Sequence, residues 1–233
     1  MNVVSAPYRH SGMTLIELMI AMTLSLILAG GAIVLFVNTK STYSLQQAVG
    51  RMQSDGNAAM TLLEQQIRLA GYPEDSLTLE SGIVGTRGDS YTVQATATYF
   101  SQTESSDNSL IFQYEAPSNQ FRNCAGETFA EGDVISVRIA LSDPDGDGIG
   151  SLRCEGAASF ADLVGAATGL TIVYGEDTDG DGAPNQYRTY GSVANLRNVV
   201  AIRLTYSVVA DHDDVNPRLF SNTIALRNQV HLL

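Results

Sequence analysis

The hydrophobic pattern of the chain begins with one long apolar stretch. Residues 18–37 contain neither a charged residue nor a proline, and about 20 helical residues are enough to cross a hydrocarbon layer of about 30 Å. Arg9 precedes the stretch and Lys40 follows it. Because basic residues accumulate on the cytoplasmic side of a membrane, the pattern predicts a membrane-spanning helix whose N-terminus is cytoplasmic.

One acid, Glu17, lies at the start of this apolar stretch. A cleaved secretion signal is the simplest interpretation of such a stretch, but the apolar residues continue past Gly30 and Gly31, which makes it longer than a typical signal core. A plain membrane anchor has no use for a carboxylate, which is unfavourable in lipid. The acid therefore indicates a function, and a positively charged partner for it.

The helical pattern continues beyond Lys40 as an amphipathic stripe. Small and apolar residues recur at spacings of three and four, which is typical of one buried helix face. Gly71 suits the end of a helix and Pro73 cannot continue one, so we predict a single helix from about Met13 to Ala70. The stripe consists of Leu45, Val49, Met52, Gly56, Ala59, Leu63, Ile67 and Ala70.

The rest of the chain predicts short strands separated by turns. Segments rich in Val, Ile, Leu, Thr and Tyr alternate with segments rich in Gly, Asp, Asn, Ser and Pro. A long helix followed by antiparallel strands gives an α+β fold with the helix packed on the sheet. The predicted strands are residues 90–100, 109–116, 133–141, 169–176, 186–191, 199–210 and 222–233.

Composition narrows the class of protein. The chain has 233 residues and a formal net charge of −12, and an acidic surface repels nucleic acid, so no direct binding to it is expected. After the membrane segment about 190 residues remain, enough for one sizeable core.

The cysteines, Cys124 and Cys154, are compatible with one disulfide if the domain lies outside the cytoplasm. Such a bond is expected to tie the first of the acidic loops discussed below to the sheet.

The stretch SGMTLIELMIAMTLSLILAGGAIVLF resembles the class III signal of type IV pilins and related pseudopilins. The resemblance implies that a prepilin peptidase cleaves between Gly12 and Met13 and that the new N-terminus at Met13 is methylated. Met13 stands where that family most often has phenylalanine. In that family the glutamate corresponding to Glu17 is thought to pair with the α-amino group of a neighbouring subunit. In a low-dielectric site, the attraction between two opposite charges offsets part of the free-energy cost of removing each of them from water.

This resemblance also implies a domain organisation. Residues 1–12 form the leader, 13–37 the transmembrane and filament-core helix, 38–71 its amphipathic continuation, and 72–233 a β-rich extracytoplasmic domain. The expected location is the bacterial inner membrane, with a single pass and a periplasmic domain, and then the pilus on the cell surface.

Within that family the chain resembles the PilW group of minor pilins most. The resemblance rests on MQSDGNAAMTLLEQQIRLAGY, IVYGEDTDGDGAPNQYRTY and FSNTIALRNQVHLL. It implies a minor pilin of a priming or tip complex in type IV pilus assembly, supporting twitching motility, adhesion or DNA uptake. The implied partners are prepilin peptidase, other minor and major pilins, and the inner-membrane assembly platform. A pseudopilin of a type II secretion system, and a membrane-anchored periplasmic binding domain without a filament, stay open as alternatives.

Two acidic loops, DPDGDGIG and DTDGDGAP, fit the first half of a calcium-binding loop. The closing glutamate of that motif is missing, since Cys154 and Arg188 occupy its position, although Glu155 and Glu176 lie nearby. Plain Asp–Gly turns between strands are the alternative. Calcium is therefore a possible ligand but not a required cofactor. Its predicted ligands are Asp143, Asp145, Asp147, Asp177, Asp179 and Asp181.

The sequence contains no recognisable catalytic motif. No nucleophile elbow, phosphate-binding loop, HExxH or dinucleotide fingerprint is present. His10 lies in the leader, His212 is flanked by acids, and His231 is close to the end of a predicted strand. We therefore predict that the protein is not an enzyme.

Overall fold

The computed structural model describes residues 12–72, 108–143, 145–210 and 215–226. Helix α1 runs from Leu15 to Ile67, and the chain turns away at Gly71, whose φ of 77° is the left-handed conformation that glycine adopts without strain. Contacts divide the chain into two units, Met1–Gln47 and Ala48–Leu233. Helix α1 therefore contributes residues to both units.

The C-terminal part of α1 uses the predicted stripe as its packing face. Every stripe position from Met52 to Ala70 is buried, whereas Leu45 and Val49 are half-buried. The buried helix residues join one core with the inner face of the sheet. This confirms the α+β layout of a long N-terminal helix followed by an antiparallel sheet domain.

Within the described residues, the sheet has seven antiparallel strands in the order β1-β4-β5-β6-β8-β9, with β7 paired to β6. A separate two-stranded hairpin is formed by β2 and β3. Two 3₁₀ turns, Tyr190–Ser192 and Leu196–Asn198, lie between β7 and β8. The strands are β1 (Ser109–Glu115), β2 (Phe121–Arg122), β3 (Thr128–Phe129), β4 (Val134–Ser142), β5 (Gly150–Glu155), β6 (Phe160–Glu176), β7 (Gln186–Arg188), β8 (Val199–Val208) and β9 (Arg218–Ala225).

The structure corrects several strand predictions. Strand β5 and the short β2 and β3 have no predicted counterpart. Strand β6 begins nine residues before the predicted residue 169, and its early part is rich in Ala and Gly, which favour strands weakly. Strand β9 begins four residues before the predicted residue 222. The prediction for residues 90–100 lies outside the described residues, as does the part of the last prediction after residue 226.

Polar contacts fix the helix on the sheet at three levels. The hydroxyl of Tyr206 donates to the backbone oxygen of Gly56 at 2.8 Å. Further along, the Asn222 amide donates to Glu64 at 3.0 Å. Near the end of the helix the Tyr114 hydroxyl donates to the Gln66 side chain at 2.8 Å. These bonds give the helix one defined register against the sheet.

The two cysteines form the predicted disulfide, Cys124–Cys154. It joins the turn between β2 and β3 to strand β5, so the expectation that it ties the first acidic loop to the sheet is wrong. Cys154 lies near the end of β5 that faces β6 across the turn at residues 156–159, and the acidic loop lies at the other end of β5. The Glu127 carboxylate reinforces the same connection by accepting the backbone N–H groups of Ser159 at 2.8 Å and of Ala158.

Candidate functional site

The N-terminus of α1 lies directly after the predicted cleavage position. Gly12 and Met13 are exposed and precede the helix, whereas the leader residues 1–11 lie outside the described residues. Thr14 stands immediately before the helix, and its hydroxyl oxygen accepts a hydrogen bond from the backbone N–H of Glu17 at 3.3 Å. The sequence analysis missed this role of Thr14, although the T-x-x-E spacing of a capping box was there to indicate it.

Glu17 therefore occupies the first turn of α1. Backbone N–H groups without intrahelical partners and the helix dipole favour a negative charge at this end. The local structure thus places the only acid of the apolar stretch where the helix itself offsets part of its charge.

The apolar side chains of α1 from Leu15 to Val37 are exposed. Leu15 is 79 % exposed and Leu26 is 76 % exposed, which in water is an unfavourable area for any protein to present. Within the described part of the chain, α1 is the helix that is long and apolar enough to cross a membrane. The exposed surface therefore requires lipid or other helices as its surroundings.

Hydroxyl groups inside this stretch bond to their own helix. Thr23 donates to the Ile20 carbonyl at 2.9 Å and Ser25 to the Ala21 carbonyl at 2.7 Å. Such bonds to the preceding turn satisfy a hydroxyl without any outside partner. Between Glu17 and Lys40, no side chain is charged, so Glu17 is the one group in the stretch whose charge calls for a partner outside the helix.

The second acidic loop brings its three carboxylates together. Oxygen atoms of Asp177, Asp179 and Asp181 all lie within 4.8 Å of one another, and Asp177 is buried. The two carboxylate oxygens of Asp177 accept N–H groups of Gly180 and Gly182, both at 2.8 Å. Among the described residues, this is the group of three acids whose spacing is suitable for a metal ion.

The pKa of Asp177 reflects two opposing effects. Burial acts to raise it, and hydrogen bonds from the backbone of Gly182, Gly180 and Asp179 and with the Asp179 side chain lower it. The net result is a pKa below the ordinary value of an aspartate. The loop therefore holds Asp177 in its charged form, which is the form that binds cations.

The first acidic loop repeats part of this pattern between β4 and β5. The Asp143 carboxylate accepts the N–H groups of Gly146 and Gly148, both at 2.9 Å, and Asp147 accepts that of Ile149 at 2.8 Å. Asp145 is exposed. Both loops therefore form tight turns around their first aspartate.

The glutamates that lie near the loops in sequence have other partners. Glu155 accepts a hydrogen bond from the Arg138 guanidinium at 2.7 Å and lies at the far end of β5 from the first loop. The Glu176 carboxylate accepts the N–H of Ala194 at 3.2 Å and faces the Arg188 guanidinium at 3.4 Å. The structure offers no closing ligand from these two side chains, and the calcium prediction stays a prediction. His212 and His231 lie outside the described residues.

Comparison with known proteins identifies the N-terminal segment. Residues 8–33 match the family model described as the prokaryotic N-terminal methylation motif. No curated protein and no solved structure matches the chain. The matched residues include Gly12, Met13 and Glu17, and the motif points to a structural protein rather than an enzyme.

The motif implies processing by a prepilin peptidase and association with pilins. The apolar helix that contains it fits a single-pass, membrane-anchored protein. Together, the motif and the exposed helix indicate a prepilin-type, type IV pilin-like protein.

Proposed function

We propose that the protein is a minor pilin that takes part in type IV pilus assembly. The observation that carries this proposal is Glu17, a single carboxylate in the first turn of a helix whose apolar side chains are otherwise exposed. Cleavage after Gly12 creates a positively charged α-amino group at Met13. A helix bundle that brings this group of one subunit to Glu17 of the next neutralises both charges in a place where water does not reach them.

The exposed apolar surface of α1 supports the same conclusion. In the membrane it faces lipid, and in an assembled filament it faces equivalent helices of other subunits. The finer assignment, a minor pilin of the PilW group in a priming or tip complex, rests on the sequence resemblance. The motif supports the coarser assignment as a prepilin-type protein.

The intact mass of the protein from its native host tests the proposal. Sheared surface filaments and envelope membranes are analysed separately by mass spectrometry. We expect a chain that starts at Met13 and carries one additional methyl group, and we expect it in the sheared filaments. The same mass confined to the envelope contradicts incorporation into the filament and favours a secretion pseudopilin or an assembly primer that stays at the base. A mass that starts at residue 1 contradicts the assignment of Gly12 and Met13 altogether.

Substitution of Glu17 tests the role of the carboxylate. Glu17→Ala and Glu17→Gln are expected to leave cleavage intact and to abolish recovery of the protein in sheared filaments, because neither side chain offers a negative charge. Asp55→Ala is the matched control, since it removes an exposed carboxylate from the same helix outside the apolar stretch. Wild-type recovery of Glu17→Gln in filaments would refute the proposed ion pair.

A further inference from the structure

The two edges of the sheet differ in how their backbone groups are used. At β1, the N–H of Ala116 bonds to Asp133 in line with the β1–β4 register. Directly opposed residues of an antiparallel pair alternate between exchanging two hydrogen bonds and exchanging none. Because Ala116 is a bonded position, the even-numbered residues of β1 bond to β4. The odd-numbered residues 109–115 therefore point their backbone groups away from β4.

Two of these outward groups, near the C-terminal end of β1, have partners in the chain. The carbonyl of Gln113 accepts the N–H of Gly71 at 2.8 Å, and the N–H of Glu115 donates to Tyr72 at 2.7 Å. Ser109 and Ile111 have interactions of their own. At residues 113–115 the β1 edge is therefore paired with the segment that follows the helix.

Within the described residues, the opposite edge, at β9, is open. The N–H of Leu226 bonds to Val200 at 2.8 Å, in line with the β8–β9 register. By the same alternation, the even-numbered residues 220, 222 and 224 bond to β8. The odd-numbered residues from 219 to 225 point their N–H and C=O groups away from the sheet. No residue in the described part of the chain pairs with that side of β9. The outward residues are Leu219, Ser221, Thr223 and Ala225.

This edge lacks the features that usually prevent strand addition. Proteins protect edge strands with bulges, prolines, lysines or very short strands. The β8–β9 ladder has eight consecutive pairs without a register shift. None of the four outward residues is charged or a proline, all four are exposed, and Leu219 is 65 % exposed.

We propose that the open edge of β9 binds an extended segment of a different prepilin-type subunit, which adds to the sheet as a further strand. This inference rests on the proposed assembly function and names a surface through which it acts. Main-chain hydrogen bonds to the outward groups supply affinity, as in other cases of strand addition. The Ser221 and Thr223 hydroxyls already bond to Thr205 and Arg203 of β8, so the affinity is expected from the main chain rather than from these side chains.

The direction of β9 argues against a second copy of this chain as the occupant. The ring of Phe220 lies against Gly56, and Asn222 bonds to Glu64, so β9 and the packed part of α1 advance in the same direction. Two-fold antiparallel pairing of β9 with itself reverses one helix relative to the other. Equivalent subunits along a helical filament share one orientation, so in the proposed assembly they do not pair in this way.

Charge narrows the chemistry of the occupant. The chain carries a net charge of −12, yet β8 and β9 contain two arginines, Arg203 and Arg218, and no carboxylate. A neutral or acidic strand therefore meets less repulsion here than on an average part of this surface. An apolar residue opposite Leu219 completes the expected match.

Site-specific cross-linking in the native host tests the inference. A photoreactive amino acid replaces Thr223, and the cross-linked peptide is sequenced by mass spectrometry. We expect the adduct to belong to another protein with a prepilin N-terminus. Ser221→Pro is combined with this reporter because it removes one outward N–H and leaves the β8 ladder intact, as edge positions allow. Ser221→Ala, which keeps that N–H, is the matched control.

We expect Ser221→Pro to lower the adduct yield about tenfold or more and Ser221→Ala to leave it within about twofold, since strand addition depends on the main-chain bonds. Thermal unfolding of both variants checks that the domain still folds. If Ser221→Pro does not fold, hydrogen exchange of the wild-type chain replaces it. The amides of residues 219, 221, 223 and 225 are expected to exchange about tenfold or more slowly in the assembled state than in detergent.

The inference is overturned by an adduct with a second copy of the chain or with a protein that is not prepilin-type. It is also overturned by equal yields for Ser221→Pro and Ser221→Ala, or by unchanged exchange at the four outward amides. An adduct with a prepilin-type subunit in a chain found only in the envelope supports the edge while refuting incorporation of the chain into the filament. The two proposals therefore fail separately.

Discussion

Gly56 is a point of close approach between helix α1 and the sheet, and its replacement by alanine is the sharpest test of the packing. A Cβ atom at this position would overlap the ring of Phe220. The backbone oxygen of Gly56 also accepts the hydroxyl of Tyr206 at 2.8 Å, so the helix cannot shift away without weakening that bond. We expect Gly56→Ala to destabilise the domain.

The magnitude follows from two opposing terms. Alanine is favoured over glycine inside a helix by about 0.5–1 kcal/mol. Overpacking a filled core costs about 1–3 kcal/mol, because side chains and backbone must move. The middle of each range gives a net loss of about 1 kcal/mol, which lowers the midpoint of thermal unfolding by roughly 2–4 °C for a domain of this size.

Gly50→Ala is the matched control for this substitution. Gly50 lies in the same helix, is exposed, and has no neighbouring atom within 4 Å of a Cβ placed there. Here only the helix preference acts, and we expect a gain of about 0.5–1 kcal/mol. Thermal unfolding followed by circular dichroism, on the detergent-solubilised chain, measures both variants.

A second substitution separates packing from helix preference. Phe220→Leu removes the far end of the ring, so the double variant Gly56→Ala/Phe220→Leu is expected to lose less stability than the two single losses combined. The reasoning is refuted if Gly56→Ala stabilises the protein as Gly50→Ala does, or if the two substitutions at 56 and 220 are additive.

Two further predictions concern ionisable groups. Burial raises the pKa of Tyr206 from its ordinary value of 10.0 to about 12. The folded protein therefore favours the neutral hydroxyl, whose contribution to stability is complete below pH 10 and is lost as the pH rises towards 12. Tyr206→Phe is expected to reduce, without abolishing, the loss of unfolding temperature over that pH range, because burial raises the pKa of Tyr114 as well. The predicted calcium site is tested by unfolding in about 10 mM calcium, which stabilises by about 1.4 kcal/mol a site with a dissociation constant of about 1 mM. Asp179→Asn is expected to abolish that gain, and Asp55→Asn, which changes an exposed carboxylate of α1, is expected to retain it. An unresponsive wild-type chain shows that the loop is only a turn.

The helix was predictable because its signals are local and repeated. Spacings of three and four, the glycine at 71 and the proline at 73 place its packed face and its end within a few residues. Thr14 was equally readable, since a hydroxyl residue three positions before a glutamate marks a helix start. The role of Gly56 could not be predicted, because a glycine on the buried face of a helix fits both a site where the helix bends and a site where another element packs closely against it. Only the position of Phe220, far away in sequence, decides between them.

The sheet and the acidic loops were predictable only in part. Strand β5 and the early part of β6 are held by pairing with their neighbours, and their own residues have little strand preference. The D-x-D-x-D-G spacing predicted that the carboxylates of residues 177–181 converge, and they do. It did not predict that Glu155 and Glu176 bind to other groups, since those partners come from distant strands and turns.

The domain and the membrane segment share one helix, and this has a consequence for biogenesis. Met52, Leu63 and Ile67 belong to the core of the domain, and burial of each such side chain is worth about 1.5–3 kcal/mol. A typical domain has a net stability of about 5–15 kcal/mol, so a fragment that begins after Ile67 is not expected to fold. The core of the domain is therefore complete only once residues 48–67, which follow the apolar segment in the same helix, have packed on the sheet. Placement of the apolar segment and folding of the domain are thus linked by one continuous helix.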